Sequence, residues 1–334
     1  MDAKTEMAWG AITGIWEGYA SDNETRYKAS SGGALTAIAQ YCLEVLEMPG
    51  VLHSGENRDD PIRNKTRLSR SREDLLEVLG SRYSPASVCD GLDLVEQASG
   101  PCVVIGKPVE IAATRNAMTL RPALEKNVGV TLSFFCAETP PTKATRSLLE
   151  KLGVVADTLT SLRYRGHGWP GYFVTQNASE EPKQHWIYDK TWAYLQQYRP
   201  WAVHQWPDGS GELADISCGD PWYEEPDGEN PGFSLVVART KLGKEIIEGA
   251  IEHGYLTASS AEVWKLEKSQ AGLLRKKAAV WGRRQMHRVL CMPIANFKDL
   301  DLFTLWLDLP FRTKVRSTLG TMQRILRRRL WKLP

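Results

Sequence analysis

Five short stretches combine glycine with a hydroxyl, a cation or an aromatic ring in ways that suit a phosphate-bearing ligand. Ser30-Ser31-Gly32-Gly33 stands directly before the apolar run Ala34–Leu46. A helix N-terminus offers unpaired N–H groups and partial positive charge, and glycine lets a phosphate come close to the backbone. The serine hydroxyls add donors there and Lys28 adds charge. Plain N-capping of a core helix uses the same residues, so both readings stay open. Gly80-Ser81-Arg82-Tyr83 follows a helical pattern and offers a cation and a ring face to a planar ligand or a phosphate. A helix stop with exposed Arg82 and Tyr83 fits the same spacing.

Gly106-Lys107-Pro108 closes the apolar run Cys102–Ile105, the position at which α/β proteins place ligand loops. The Walker spacing is missing and no GxGxxG fingerprint stands in a suitable place, which disfavours an ordinary nicotinamide site and a nucleotide P-loop. The last stretches, Arg165–Gly171 and Ala214–Trp222, concentrate Gly, Pro and Trp around a titratable residue. A rigid aromatic wall and a tryptophan-filled structural turn both account for them. For any proton transfer at these loops the candidates are His167, Tyr83 and Asp220. His167 also reads as an exposed turn histidine, and Asp220 as the brace of a turn. No Ser/His/Asp spacing suggests acyl transfer, and no HExxH suggests zinc.

These loops need elements to hold them. The chain divides into 1–101, 102–250 and a basic helical extension, 251–334. An extended segment at Trp16–Ala20 leads to the helix Ala34–Leu46, whose Leu35, Ile38, Ala39, Cys42 and Leu46 recur at helical spacing. Polar Gly55–Arg72 reads as a long surface loop, and Ser71–Val78 as a short helix stopping at Gly80. From Cys102 the order is strand, helix (Glu110–Ala117), strand (Val128–Cys136), helix (Thr142–Leu152, with a threonine to cap it). That order predicts parallel strands with ligand loops at their carboxyl ends. Further strands at Tyr172–Thr175 and Ser234–Arg239 make the fold class α/β of the mixed α+β kind, a mixed sheet with flanking helices. Ser259-Ser260-Ala261-Glu262 reads as a capping box that opens a long helix. A terminal helix follows, with Val315, Leu319, Met322, Leu326, Leu330 and Leu333 on one stripe among arginines.

Composition bounds the rest. Hydrophobic residues make up 42% and charged residues 25% of the 334, as in a globular protein, and no apolar run reaches the roughly 20 residues of a membrane span. The opening residues lack a signal-peptide core. The six cysteines form no CxxC pair, so reduced, mostly buried thiols in a cytoplasmic protein are expected. The net charge of +2 conceals an asymmetry: residues 271–334 hold 15 Lys or Arg against three Asp, leaving the remainder mildly acidic. This is not the footprint of a nucleic-acid binder. The terminal helix has three readings: packing on the body or on a second copy in a homo-oligomer, lying on an anionic membrane surface, or docking an acidic partner.

Taken in order, YKASSGGALTAIAQYCLE, EVLGSRYSPA, CVVIGKPVEIAA, YRGHGWPGYF, ELADISCGDPW and FSLVVARTKLG resemble the beta-subunit family of deazaflavin-coenzyme-reducing hydrogenases and dehydrogenases. The resemblance spans residues 16–250. It implies a mixed α/β fold that binds a flavin, FAD or FMN, and passes electrons between it, a [4Fe–4S] cluster and a redox partner. Carried over, Ser30, Ser31, Gly32 and Gly33 are flavin-phosphate contacts, with Lys28 beside them. Gly80, Ser81, Arg82 and Tyr83 form a second wall, while Gly106, Lys107 and Pro108 make the loop facing flavin and cluster. Asp220 and Arg239 match further stretches of the family.

The departures matter as much. Where the family writes Gly-Thr-Pro-Cys-Gln, this chain has Gly106-Lys107-Pro108-Val109-Glu110; where it writes Cys-x-x-Cys-x-Asp, this chain has Val203-His204-Gln205-Trp206-Pro207-Asp208. Val109, Val203 and Trp206 thus stand where thiolates are expected, and neither side chain type can ligate iron. Only Cys136 remains near a matching cysteine, so no iron–sulfur cluster and no other metal is expected. The reading is a flavin-dependent oxidoreductase moving hydride to or from a small or sugar-linked organic substrate, with a reduced nicotinamide or deazaflavin as donor. Relatives lacking the cluster point to surface-polysaccharide biosynthesis at the inner membrane. A sugar-modifying transferase that has lost redox chemistry, or a non-catalytic scaffold, are the alternatives.

Overall fold

The computed structural model describes residues 3–178, 180–226, 230–297 and 300–332. The chain opens with helix α1 (Ala3–Trp9), strand β1 (Gly14–Ala20), α2 (Asn23–Lys28) and α3 (Ala34–Glu44). A hairpin, β2 (Val51–Glu56) and β3 (Asn64–Ser69), leads to the short helices α4 (Arg72–Leu76) and α5 (Leu92–Glu96). Then come β4 (Cys102–Gly106), α6 (Pro108–Met118), α7 (Pro122–Asn127), β5 (Val128–Phe134) and α8 (Thr142–Lys151). A meander follows, β6 (Leu159–Arg163), β7 (Tyr172–Asn177) and β8 (Lys183–Ile187), with α9 (Tyr188–Leu195) after it. The chain then returns through β9 (Ile216–Gly219), β10 (Ser234–Ala238), α10 (Lys241–Glu252) and β11 (Leu256–Ser260). It ends in the long α11 (Val263–Val289) and in α12 (Leu302–Leu307), α13 (Phe311–Ser317) and α14 (Leu319–Arg328).

Eight strands form one sheet in the order β11-β1-β10-β9-β5-β4-β2-β3, and β6-β7-β8 form a second. The centre, β9-β5-β4-β2, is parallel, whereas both flanks pair antiparallel. This is the mixed α/β fold expected, with strands drawn from all three sequence regions. The parallel strands bury nearly every side chain: Val103, Val104, Val130, Leu132 and Ile216 are fully inaccessible, which explains their continuous apolar runs. On one face α3 and α10 close the core through Ile38, Cys42, Ile246 and Ile247. On the other, α11 packs Leu266, Ala278 and Ala279 against Trp9, Ile15 and Val237. Lys277, buried on α11, bonds both oxygens of Glu212 at 2.8 and 2.9 Å and the Met7 carbonyl at 2.9 Å, tying that helix to α1.

Several sequence expectations need correction. The stretch Gly55–Arg72 is not a loop throughout, because Asn64–Ser69 pairs with β2 as an edge strand. Charged side chains such as Lys65 and Arg67 shield edge strands from unwanted pairing and so hide the strand's period. Ser259 and Ser260 make no capping box, since they pair with Glu17 and Trp16 in β11, and α11 starts from Glu262 with no side-chain cap. Thr142 does not cap α8 either, as the capping residue is Pro141. The terminal helix is two helices, broken at Thr318 (φ −98°, ψ −88°). Its face toward the body consists of Ser317, Thr321 and Ile325, while Val315, Leu319 and Leu326 of the leucine stripe point outward. Leu333 lies outside the described residues. The six cysteines carry free thiols, with Cys42, Cys102 and Cys218 buried and Cys291 exposed.

Candidate functional site

The carboxyl ends of β2, β4, β5 and β9 open into one cavity of about 800 Å³, within the size range of cofactor sites. Its floor is Ile105, Gly106 and Lys107 after β4, Phe135 and Cys136 after β5, and Cys218, Gly219 and Asp220 at β9. Parallel strands all end on the same side, so loops far apart in sequence converge there. One wall is the start of α3, from Ser30 and Ser31 to Thr36. Gly33, at φ +74°, is the N-terminal residue of that helix, and no side chain caps it. The free helix start therefore faces the cavity with its positive dipole end. Ser30 Oγ accepts from the Ser81 amide at 2.5 Å, joining this wall to Gly80–Tyr83. Gly32, also left-handed at φ +68°, faces away: a Cβ there would lie 2.5 Å from Phe233 Cα.

An ion pair that sequence spacing did not single out organises the centre. Arg165, almost fully buried, grips Asp220 in bidentate fashion at 3.0 and 2.6 Å, and also donates to the Ser30 carbonyl at 2.6 Å and Pro170 O at 3.2 Å. Trp169 Nε1 donates to the same carboxylate at 3.0 Å. Arg165 thereby ties together the glycine-rich turn at 165–171, the α3 start and the end of β9. Its guanidinium lies 4.3 Å from the centroid of Tyr188, which stacks on Trp222 at 5.4 Å and 8°. Together with Tyr83 and Trp192, 5.1 Å apart, these rings form an aromatic wall. Burial, with the nearby Asp220 charge, pushes the Tyr83 hydroxyl above its ordinary range, so it keeps its proton at neutral pH. Tyr188 and Trp192 carried no local signal, since they follow β8 in an ordinary helix.

Placement of the other candidates is mixed. Lys107 lines the cavity with Nζ held 2.7 Å from Glu110 Oε1 and 2.8 Å from the Ala86 carbonyl. Arg82 also lines it, yet its guanidinium serves the scaffold: Asn64 Oδ1 at 2.6 Å, Glu56 Oε1 at 3.1 Å and the Leu162 carbonyl at 2.7 Å. Pro108 is buried at the first turn of α6 and does not line the cavity. Lys28 and His167 line a separate, smaller hollow of about 340 Å³ behind Gly80–Arg82. Burial and the charges of Arg163 and Lys28 push the His167 imidazole down to about 4, so it is neutral at pH 7. Arg239 is enclosed among the Ser217 hydroxyl at 3.1 Å and the carbonyls of Ser210 at 3.0 Å and Trp9, away from the cavity.

The residues fit a flavin and not an iron–sulfur cluster. A free helix start with Ser31 and Gly33, an aromatic wall and a cavity of this volume suit a phosphate-bearing planar cofactor. For the cluster, Val109, Val203 and Trp206 offer no ligating atom, and Trp206 instead packs edge-on against Phe297 at 5.5 Å. Among the described residues no three His, Cys, Asp or Glu side chains gather as a metal site.

Two profiles of one family, coenzyme F420 hydrogenase/dehydrogenase, match the chain. The profile for the N-terminal part of its beta subunit matches residues 15–93, and the profile for the C-terminal part matches 101–263. Two curated relatives share the name "Coenzyme F420 hydrogenase subunit beta". The one from Methanosarcina barkeri is 29% identical over 77% of this chain and 84% of its own length. The one from Methanococcus voltae is 23% identical over 82% and 95%. A chain from the F420-reducing [NiFe] hydrogenase complex of Methanosarcina barkeri has the same fold, with a TM-score of 0.66 and 22% identity over 86% of this chain and 97% of that one.

Proposed function

Because this chain belongs to the coenzyme F420 hydrogenase/dehydrogenase beta-subunit family, an oxidoreductase-type family, we propose that it is a flavin-dependent oxidoreductase working on an organic substrate without an iron–sulfur cluster. The observation carrying this reading is the cavity at the carboxyl strand ends, into which Ser30, Ser31, Gly33, Gly80, Tyr83, Gly106 and Lys107 converge from separate segments. FAD or FMN would be held with its phosphate at the start of α3 and its ring along the Tyr83–Tyr188–Trp222 side. When bound, a flavin supplies two-electron chemistry, taking hydride from a nicotinamide or deazaflavin donor and giving it to a substrate. The chain's own residues orient and protonate. Arg165 fixes Asp220 and the α3 start in one frame. Tyr83, protonated at neutral pH, is the proton donor of the site. Lys107 supplies positive charge at the end of β4. His167 and Arg239 have no part in this reading.

The visible spectrum tests it. Purified protein, as isolated or after incubation with FAD or FMN, should show twin flavin bands without a broad iron–sulfur shoulder. Protein that stays colourless under both treatments sinks the redox reading and favours a sugar-modifying transferase or a scaffold on the same fold. Replacing Lys107 by Met should slow flavin reduction or raise substrate KM by roughly tenfold, the worth of one charge-assisted hydrogen bond. Unchanged kinetics would remove Lys107 from the mechanism.

The outward face of α13 and α14 supports a second element of the proposal, contact with an anionic membrane surface on the cytoplasmic side. Phe311 is 79% exposed and Leu319 56% exposed, while eight cations and no acid follow Asp308. No helix among the described residues is long and apolar enough to cross a membrane. Phosphatidylglycerol vesicles should co-sediment with the protein. Changing Phe311, Leu319 and Leu326 to serine should weaken that binding by tenfold or more, given roughly 1.5–3 kcal/mol per buried apolar side chain. Equal sedimentation of both proteins rules the contact out. A sugar-linked substrate of surface-polysaccharide synthesis is consistent with such a location.

A further inference from the structure

The cavity does not end at the aromatic wall. Beyond Cys136 it continues into a chamber whose cations come largely from the chain after residue 263, outside the family match. Arg199, Lys276, Arg283, Arg316 and Arg324 line it, from the segment after α9, from α11, and from α13 and α14. Helix α11 kinks at Gln270 (φ −120°, ψ 25°), where Gln270 Nε2 and Ser269 Oγ both bond the Asp220 carbonyl at 3.0 and 2.6 Å. From that anchor α11 runs along the cavity, presenting Leu273, Lys276, Ala279 and Arg283 to it.

Such a gathering of cations is a costly arrangement without a ligand. Glu138 is bonded to Lys276 at 2.8 Å, and its charge also acts on Arg199. Among the described residues no carboxylate pairs with Arg199, Arg283, Arg316 or Arg324. Carbonyls serve in its place: Arg199 donates to Ala137 O at 2.8 Å, Arg283 to His204 O at 2.6 Å, and Arg324 to Gly320 O at 2.9 Å and Arg316 O at 3.2 Å. Arg283 Nε is buried with no hydrogen-bond partner among the described residues. Arg324 lies 5.3 Å over the Trp201 ring. Burial and mutual repulsion disfavour the charged forms of these groups. Burial, Arg324, Arg199 and Arg316 bring Arg283 down to about 10, and burial with Arg283, Arg199, Lys276 and Arg324 brings His204 down to about 3. A folded chain keeps such a cluster when an anion neutralises it in use, and guanidinium forks match phosphate oxygens best.

We propose that this chamber binds the phosphate or diphosphate group of an anionic substrate, placing the substrate's reacting carbon toward the flavin cavity. The inference rests on the proposed redox function for what is done to the substrate, and on the chamber alone for its class. It also gives the C-terminal extension a role at the site: Arg283, Arg316 and Arg324 complete a pocket built on the family fold.

The test is calorimetric titration of the full-length, flavin-loaded protein with inorganic diphosphate. Binding should be saturable and weaken with added salt. Arg316→Gln and the pair Arg283→Gln with Arg324→Gln should each lower affinity at least about fivefold, as expected for loss of charge-assisted bonds. Arg316 carries no side-chain hydrogen bond or ion pair among the described residues, so its variant separates ligand contact from folding. Uridine diphosphate and farnesyl diphosphate, titrated in parallel, distinguish a nucleotide-borne from a lipid-borne group; a gain for either over inorganic diphosphate supports the chamber and identifies the carrier. Three results overturn the proposal: no binding, binding unaffected by either variant, or diphosphate that displaces the flavin and so competes for its phosphate site. A colourless protein that binds diphosphate at these arginines refutes only the flavin reading.

Discussion

Changing Arg165 to methionine lowers the unfolding free energy by about 3–5 kcal/mol, the usual cost of removing one partner from a buried ion pair. The side chain is almost wholly enclosed, and it satisfies both Asp220 oxygens and the carbonyls of Ser30 and Pro170. Without it the Asp220 carboxylate keeps, among the described residues, only the Trp169 indole, and two carbonyls lose a donor. Urea denaturation with an unchanged slope would report the loss as a lower midpoint. Adding Asp220→Leu to the same protein should recover part of it, because the stranded charge is then gone. A single variant costing under about 1 kcal/mol would mean that solvent screens the pair and that Arg165 does not organise the site.

Replacing Gly272 by phenylalanine should weaken cofactor or substrate binding at least about tenfold with little change in stability. Gly272 lies in α11 on the cavity wall, and a Cβ built there meets nothing within 4 Å. A helix interior favours phenylalanine over glycine by roughly 0.3–0.5 kcal/mol, so the fold should tolerate it. The ring would occupy the space that ligands need. Titration with FAD, and with diphosphate, should show at least one affinity lowered tenfold or more, about 1.4 kcal/mol. Wild-type affinity for both ligands would place their binding elsewhere.

How much of this was legible in the sequence depends on the range of the interaction. The helix at Ala34, the strand–loop–helix at Cys102–Met118 and the parallel order of the centre were visible, because burial period and chain order are local properties. Edge strand β3 was not, since its charged side chains imitate a loop. The serines of β11 looked like a helix cap because hydroxyls before an apolar run serve either purpose; pairing with β1 decided between them. At the site, the glycine loops identified their own positions, but Arg165 and Asp220 are 55 residues apart and nothing local links them. The charge count located the basic tail correctly and gave only half its orientation. Leu319 and Leu326 lie outward, where arginines were also expected, while Arg316 and Arg324 line the cavity.

That division of α13 and α14 has a thermodynamic corollary. One pair of helices, packed on α11 and tied to α12 where the Trp306 indole donates to Ser317 Oγ at 3.0 Å, carries both the chamber's arginines and the outward apolar residues. Two ligands that grip opposite sides of a shared element are linked. If both proposed contacts form, an anion that steadies these helices against α11 would strengthen their hold on lipid by the same factor that lipid strengthens the hold on the anion. An enzyme so built would sense the presence of a bilayer through its substrate affinity, with no separate regulatory site.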